Sequence, residues 1–217
     1  MMYHSGIREV CGNAATGVLV TIDGPGGVGK SATVRETAEY LKNMGARVYT
    51  TRQPSTGTLG TYLWQHVDFY HGMALANLVA ADRQYQQETE IEPRLADGNV
   101  VLCDRYLPSS LVLHGIDGVS TDTVWALNSG IRVPDAAVFL RADPATITAR
   151  MHGRGGPSDR FEALPGYAEQ ELALFDAVTA DLTARGWPVS TIDSGDLEPS
   201  GAGLKLANLV VPLLGSE

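Results

Sequence analysis

The chain has 217 residues, enough for one domain with a substantial core. Its 44% hydrophobic and 19% charged residues are ordinary for a soluble globular protein. The net charge of -9 argues against a general nucleic-acid binder, which would show a basic face, yet a few local cations can still hold a phosphate ligand.

Residues 1–16 mix His, Arg, Glu, Gly and Asn and lack the apolar stretch of a signal peptide. They are expected to form a flexible tail before a single domain over residues 17–217. Cys11 and Cys103 make no disulfide framework or zinc pattern. No run approaches the roughly 20 apolar residues of a membrane span. These features predict a cytoplasmic protein with no membrane partner.

Val18 to Asp23 is a short apolar run ending in a glycine-rich turn, and reads as a buried strand. Ser31 to Met44 carries Val34, Ala38 and Leu41 near helical spacing, with Gly45 as a stop. Arg47 to Thr51 reads as a second strand. Helical stretches follow over Thr58 to Tyr70 and Met73 to Leu95, the second closed by Gly98. Val100 to Asp104, Ala136 to Arg141 and Val189 to Asp193 complete five strands. Ser109 to His114 opens a helix, Asp122 to Ser129 forms another, and Leu204 to Leu214 a last one that Pro212 limits. Strands separated by helices imply parallel pairing through crossovers. The predicted architecture is a doubly wound α/β fold with a five-stranded parallel sheet.

Gly24-Pro25-Gly26-Gly27-Val28-Gly29-Lys30-Ser31 fits G-x-x-x-x-G-K-[ST] in full, with a strand before it and a helix after it. Glycines let backbone N–H groups converge on phosphate oxygens, and the helix start adds partial positive charge. Lys30 is placed to reach the β- and γ-phosphates of ATP, Ser31 to ligate Mg²⁺, and Ala32 continues the cradle. Asp104 ends a strand, where ligands gather in open α/β sheets, and can serve Mg²⁺ or orient a nucleophile. Arg105 suits bidentate binding of an acceptor phosphate. Arg150, Arg154 and Arg160 surround Gly153, Gly155, Gly156 and Pro157, the composition of a mobile lid over residues 150–160. A guanine-reading N-K-x-D segment is absent. His66, His71 and His152 lack metal-ligand spacing, and the three tryptophans read as packing residues.

Together these residues resemble the thymidylate kinase family. The pieces come in family order: the P-loop, Arg52-Gln53-Pro54, Ala81-Asp82-Arg83, Asp104-Arg105-Tyr106 with Ser109-Ser110, then Arg150 through Asp159-Arg160-Phe161-Glu162. The resemblance implies a P-loop kinase that moves a phosphoryl group from Mg·ATP to a nucleoside monophosphate. It implies that Arg105 binds the acceptor phosphate, Arg83 the acceptor base or phosphate, and that Ser110 lines the base pocket. Arg52, Pro54, Val79, Leu113 and Arg160 join that acceptor set. Arg150 is placed near adenine and Arg154 near the transferring phosphate, so catalytic positive charge comes from the lid. Family members are commonly homodimers; the apolar helix around Met73 to Ala81 could serve that interface or the core.

Five departures fall on the acceptor side. Gly26 stands where the family usually has an acidic residue, and Gln53 replaces the glutamate of R-E-P. Val79 stands where a stacking Phe is common. Leu113 replaces a Tyr that crowds the ribose 2′ position, and His114 follows it where Gln is common. The expectation is intact phosphoryl transfer to a (deoxy)pyrimidine nucleoside monophosphate, dTMP or a modified relative; the alternatives are a kinase of a nucleoside or other small molecule in specialised metabolism, and a non-kinase P-loop NTPase switch.

Overall fold

The computed structural model describes residues 17–214; the tail expected over residues 1–16 lies outside the described residues. The apolar runs become five strands: β1 (Val18–Asp23), β2 (Val48–Arg52), β3 (Val100–Asp104), β4 (Ala136–Arg141) and β5 (Val189–Asp193). They form one sheet in the order β2-β3-β1-β4-β5, and every pairing is parallel. β1, β3 and β4 are buried almost throughout, as strands covered on both faces must be. The edge strands β2 and β5 are only partly buried.

The helices are α1 (Lys30–Asn43), α2 (Thr58–His66), α3 (Gly72–Gln86), α4 (Glu92–Ala96), α5 (Leu107–Ile116), α6 (Thr121–Leu127), α7 (Pro144–Gly153), α8 (Tyr167–Ala184) and α9 (Pro199–Val210). The stretch expected over Thr58 to Tyr70 stops at His66. The stretch from Met73 to Leu95 is one helical path with a π turn at Gln87–Ile91 between α3 and α4. Pro93 explains the wider turn, because it has no N–H for the Thr89 carbonyl and its ring crowds that oxygen. α7 and α8 were not anticipated. After α9 the chain tightens into a 3₁₀ turn at Val211–Leu214, where Pro212 cannot continue the α-helical ladder.

Two apolar layers sandwich the sheet. On one face Val20, Ile22, Leu102, Val138 and Leu140 meet Val34, Ala38 and Leu41 of α1 and Leu206, Ala207 and Val210 of α9. α1 and α9 approach so closely that a Cβ on Gly203 would lie 3.0 Å from Thr37 N. On the other face Leu19, Val101, Cys103 and Phe139 meet α5 and Phe175 and Leu182 of α8. Leu75, Ala76, Val79 and Ala80 of α3 are buried within the chain. A third, smaller cluster of Leu63, Leu75, Val79, Phe161 and Tyr167 stands off the sheet and forms a wall of the site. No helix among the described residues is long and apolar enough to cross a membrane.

The register fixes the site. Ile22 pairs with Asp104, so β1 and β3 end at the same level. The strands next to β1 are β3 on one side and β4 on the other. This is the switch point at which open α/β sheets leave a crevice. The P-loop leaves β1 there and Arg105 leaves β3 beside it.

Candidate active site

Gly24, Gly27 and Gly29 hold φ of 140, 76 and 106, a backbone path that side-chain-bearing residues rarely follow. α1 starts at Lys30, so the unpaired N–H groups of its first turn face the loop's hollow. Lys30 Nζ donates to Gly24 O at 2.8 Å and Pro25 O at 2.7 Å. Burial, and then the nearby Arg105, pull its pKa down to about 8. Ser31 Oγ donates to Asp104 Oδ2. Asp104 Oδ1 is buried without a partner.

These groups line an open cleft. Gly27, Gly29, Lys30, Ser31 and Ala32 form its floor, and Asp104, Arg105, Arg150 and Arg154 its sides. Gly24, Gly26 and Val28 shape the loop without lining this cleft. Arg150 is anchored by donating to Val28 O at 3.1 Å, Ser194 O at 2.9 Å and Gly195 O at 3.1 Å.

A second cavity adjoins the cleft. Pro54, Val79, Arg83, Ser110, Leu113 and His114 line it, with apolar walls from Leu63, Val67, Leu75 and Phe161. Arg105 lines both cavities. Among the described residues it is the one non-glycine residue with positive φ, at 70. Such strain, of order 1–3 kcal/mol, persists where the surroundings over-determine the backbone, typically at functional sites. Arg105 N donates to Ile22 O at 2.9 Å, which ties the turn to β1. Its Nη1 is buried with no partner. Burial opposes its charge, but Glu171 and Asp104 more than offset this and raise its pKa.

Arg83 forms the cavity's floor, and its donors are already engaged. Nε donates to Gln53 Oε1 at 2.7 Å, Nη1 to Asn128 Oδ1 at 2.5 Å, and Nη2 to Ser110 Oγ at 2.5 Å. Gln53 therefore supplies an acceptor oxygen where R-E-P would supply a carboxylate, and its amide donates to Gln86 Oε1 at 3.1 Å. The Gln53–Pro54 peptide is cis. Asp23 accepts from Tyr106 N, Ser109 N and Ser109 Oγ at 3.0, 3.1 and 2.6 Å, pinning the start of α5. Burial nonetheless raises its pKa. His114 is buried, and neither ring nitrogen has a partner. Burial, and then Arg83, push its pKa down to about 4, so the imidazole is neutral near pH 7.

The geometry is that of a polar P-loop cleft that shares Gln53, Trp64, Arg105 and Asp159 with a smaller, mostly apolar pocket, and comparison with known proteins agrees with a nucleotide-binding site. A family model described as Thymidylate kinase matches residues 22–172. The chain belongs to that family. A probable thymidylate kinase from Pyrobaculum aerophilum is 37% identical over 181 residues, 79% of this chain and 86% of that protein. One from Caldivirga maquilingensis is 34% identical over 142 residues, 64% and 69% of the two chains. A thymidylate kinase from Xanthomonas campestris pv. campestris is 35% identical over 164 residues, 75% and 72%.

Against the thymidylate kinase pattern, two expected acceptor residues sit elsewhere. Arg160 lines neither cavity. It donates to Asp117 through both terminal nitrogens and stacks on Phe161 at 3.9 Å, bracing the lid segment against α5. Arg52 lies on the nucleotide cleft, 4.7 Å above the Trp64 ring. Trp64 thus does more than pack, since it lines both cavities and carries Arg52. In the segment expected to form a lid, Arg154 pairs with Glu162, which also accepts from Ser158 N and Oγ at 2.7 and 2.8 Å. Glu162 fills the space beside Gly26: a Cβ there would lie 2.3 Å from its Oε1. Glu171 was not singled out by sequence reasoning, yet its Oε2 accepts from Gly26 N at 2.8 Å.

Proposed function

We propose that this member of the thymidylate kinase family transfers the γ-phosphoryl group of ATP to a pyrimidine nucleoside monophosphate, dTMP or a modified relative. The observation that carries the reading is Arg105, which lines both the P-loop cleft and the apolar pocket. An acceptor phosphate held there would face a nucleotide seated on the P-loop. Its oxygen forms the new O–P bond as the bond between γ-phosphorus and the bridging oxygen breaks, and ADP leaves. The acceptor is already anionic, so no general base is needed. Lys30, Arg105 and Arg154 are the cations assigned to the charge that develops.

Ser31 and Asp104 are the residues we assign to Mg²⁺. Both offer oxygen ligands, and the unpartnered Asp104 Oδ1 suits a hard cation. When bound, the ion would neutralise phosphate charge. Arg150 is assigned to the adenine end and residues 150–160 to a closing lid. Pairing of two copies through the exposed edge of α3 at Met73, in a cytoplasmic enzyme, completes the reading.

Val79, Leu113 and His114 give the pocket no ring at position 79 and no hydroxyl at 113, which favours an acceptor other than plain dTMP. The test is ADP release with Mg·ATP and a panel of dTMP, dUMP, UMP, CMP, 5-substituted pyrimidine monophosphates and the matching nucleosides, with products weighed by mass spectrometry. A nucleoside diphosphate product is expected. Free phosphate without a phosphorylated acceptor, or phosphorylation of nucleosides alone, overturns the proposal.

A further inference from the structure

Glu171 is a fully buried carboxylate to which the chemistry above gives no task. It lies on α8 among the buried positions Tyr167, Ala168 and Phe175, where an apolar side chain would pack. Its relative exposure is 0%. A fully buried carboxylate is costly unless its surroundings compensate it, and here the surroundings are the transfer site itself. Oε2 accepts from Gly26 N at 2.8 Å, while Oε1 is buried and unpartnered. Lys30 of α1, Arg105 after β3 and Tyr167 of α8 itself are the charged and titratable groups that face it. The Glu171 charge favours the charged form of Arg105, whose Nη1 is likewise buried without a partner. Tyr167, one turn earlier on α8, lines the acceptor pocket.

The P-loop supplies no carboxylate at this point: residue 26 is glycine, and a Cβ there would lie 2.3 Å from Glu162 Oε1, which would have to move aside. We propose that α8 supplies it instead, and that Glu171 is a positioning residue for the acceptor. Its hydrogen bond fixes the leading edge of the P-loop, and its charge holds the Arg105 guanidinium at the junction of the two cavities. The inference rests on the kinase reading above.

The variants are Glu171→Gln and Glu171→Ala, assayed with Mg·ATP and the best acceptor of the panel, alongside calorimetric binding of that acceptor without ATP. Glutamine keeps an oxygen for the Gly26 N–H but removes the charge. Its acceptor KM and Kd are expected to rise about tenfold, roughly 1.4 kcal/mol, with ATP KM and the thermal midpoint little changed. Burial raises the Glu171 pKa, so wild type should lose acceptor kcat/KM as falling pH protonates it. E171Q should lack that limb and keep only the acceptor phosphate's own titration. E171A should add a fall in kcat as the P-loop amide loses its partner. If E171Q matches wild type in acceptor Kd and pH profile, or its defect is confined to ATP KM, the inference fails alone. If wild type phosphorylates no nucleoside monophosphate, the functional reading fails and takes the inference with it.

Discussion

The two cavities are built by different means. The floor of the P-loop cleft is shaped by backbone: a loop with positive-φ glycines, the start of α1, and the ends of β1 and β3. Its geometry follows once the sheet register is set. The acceptor pocket is made of side chains from α2, α3, α5 and the lid segment, held by the small cluster around Val79 and Phe161. Backbone geometry changes little when one residue is exchanged, whereas a side-chain wall changes with each exchange. Phosphoryl transfer can therefore persist while the acceptor drifts, which is where the departures from the family pattern lie.

Four substitutions test that division. Lys30→Ala removes a cation we assign to the transferring phosphate and should lower kcat about 10²- to 10³-fold, leaving acceptor Kd, measured by calorimetry, unchanged. A matching loss of acceptor binding would break the division.

His114→Gln probes the pocket through stability. The folded pKa of His114 is about 4, below its ordinary 6.5. Below pH 6.5 the unfolded chain takes up a proton that the folded chain does not, so stability falls as pH drops toward 4. Burial of this ring makes the contribution about 3 kcal/mol. Urea unfolding at pH 7 and pH 4 should show a smaller acid loss in H114Q than in wild type. Equal losses would mean that the ring is protonated or exposed in the folded state.

Arg105→Lys keeps the charge but loses the planar fork. Acceptor kcat/KM should fall by about 1.5–3 kcal/mol, or roughly 10- to 100-fold, with ATP KM nearly constant. A parallel rise in ATP KM would assign the junction to the donor side. The smallest effect is expected from Val79→Phe, which restores a stacking ring. It should lower dTMP KM by about 1 kcal/mol, roughly fivefold. A higher KM would show that the pocket is shaped for a bulkier acceptor.

The same contrast governs what could be read from the sequence. The strands were legible because buried parallel strands are unbroken apolar runs. β2 alone was offset, by one residue at each end. The P-loop was legible because its chemistry is contiguous in the chain. α7 escaped despite the signature of Asp143 capping Thr146 N before Pro144. α8 escaped because Glu171 interrupts its buried stripe and alanines weaken its periodicity. The paired arginines were legible by type but not by partner. Nothing in the order of residues shows that Arg160 spends its charge on Asp117, or that Gln53, Asn128 and Ser110 occupy Arg83. Those assignments depend on contacts between residues 27 to 45 positions apart.

The positive φ of Arg105 carries a further consequence for engineering. Glycine at this position would relieve about 1 kcal/mol or more of backbone strain, while erasing the guanidinium that joins donor to acceptor. Arg105→Gly also leaves the buried Glu171 carboxylate without that cation, a cost larger than the strain relieved, so the melting temperature should fall and turnover should be lost together. A selection for heat resistance alone would therefore keep the arginine, because the strained turn is held by the buried charge that it compensates.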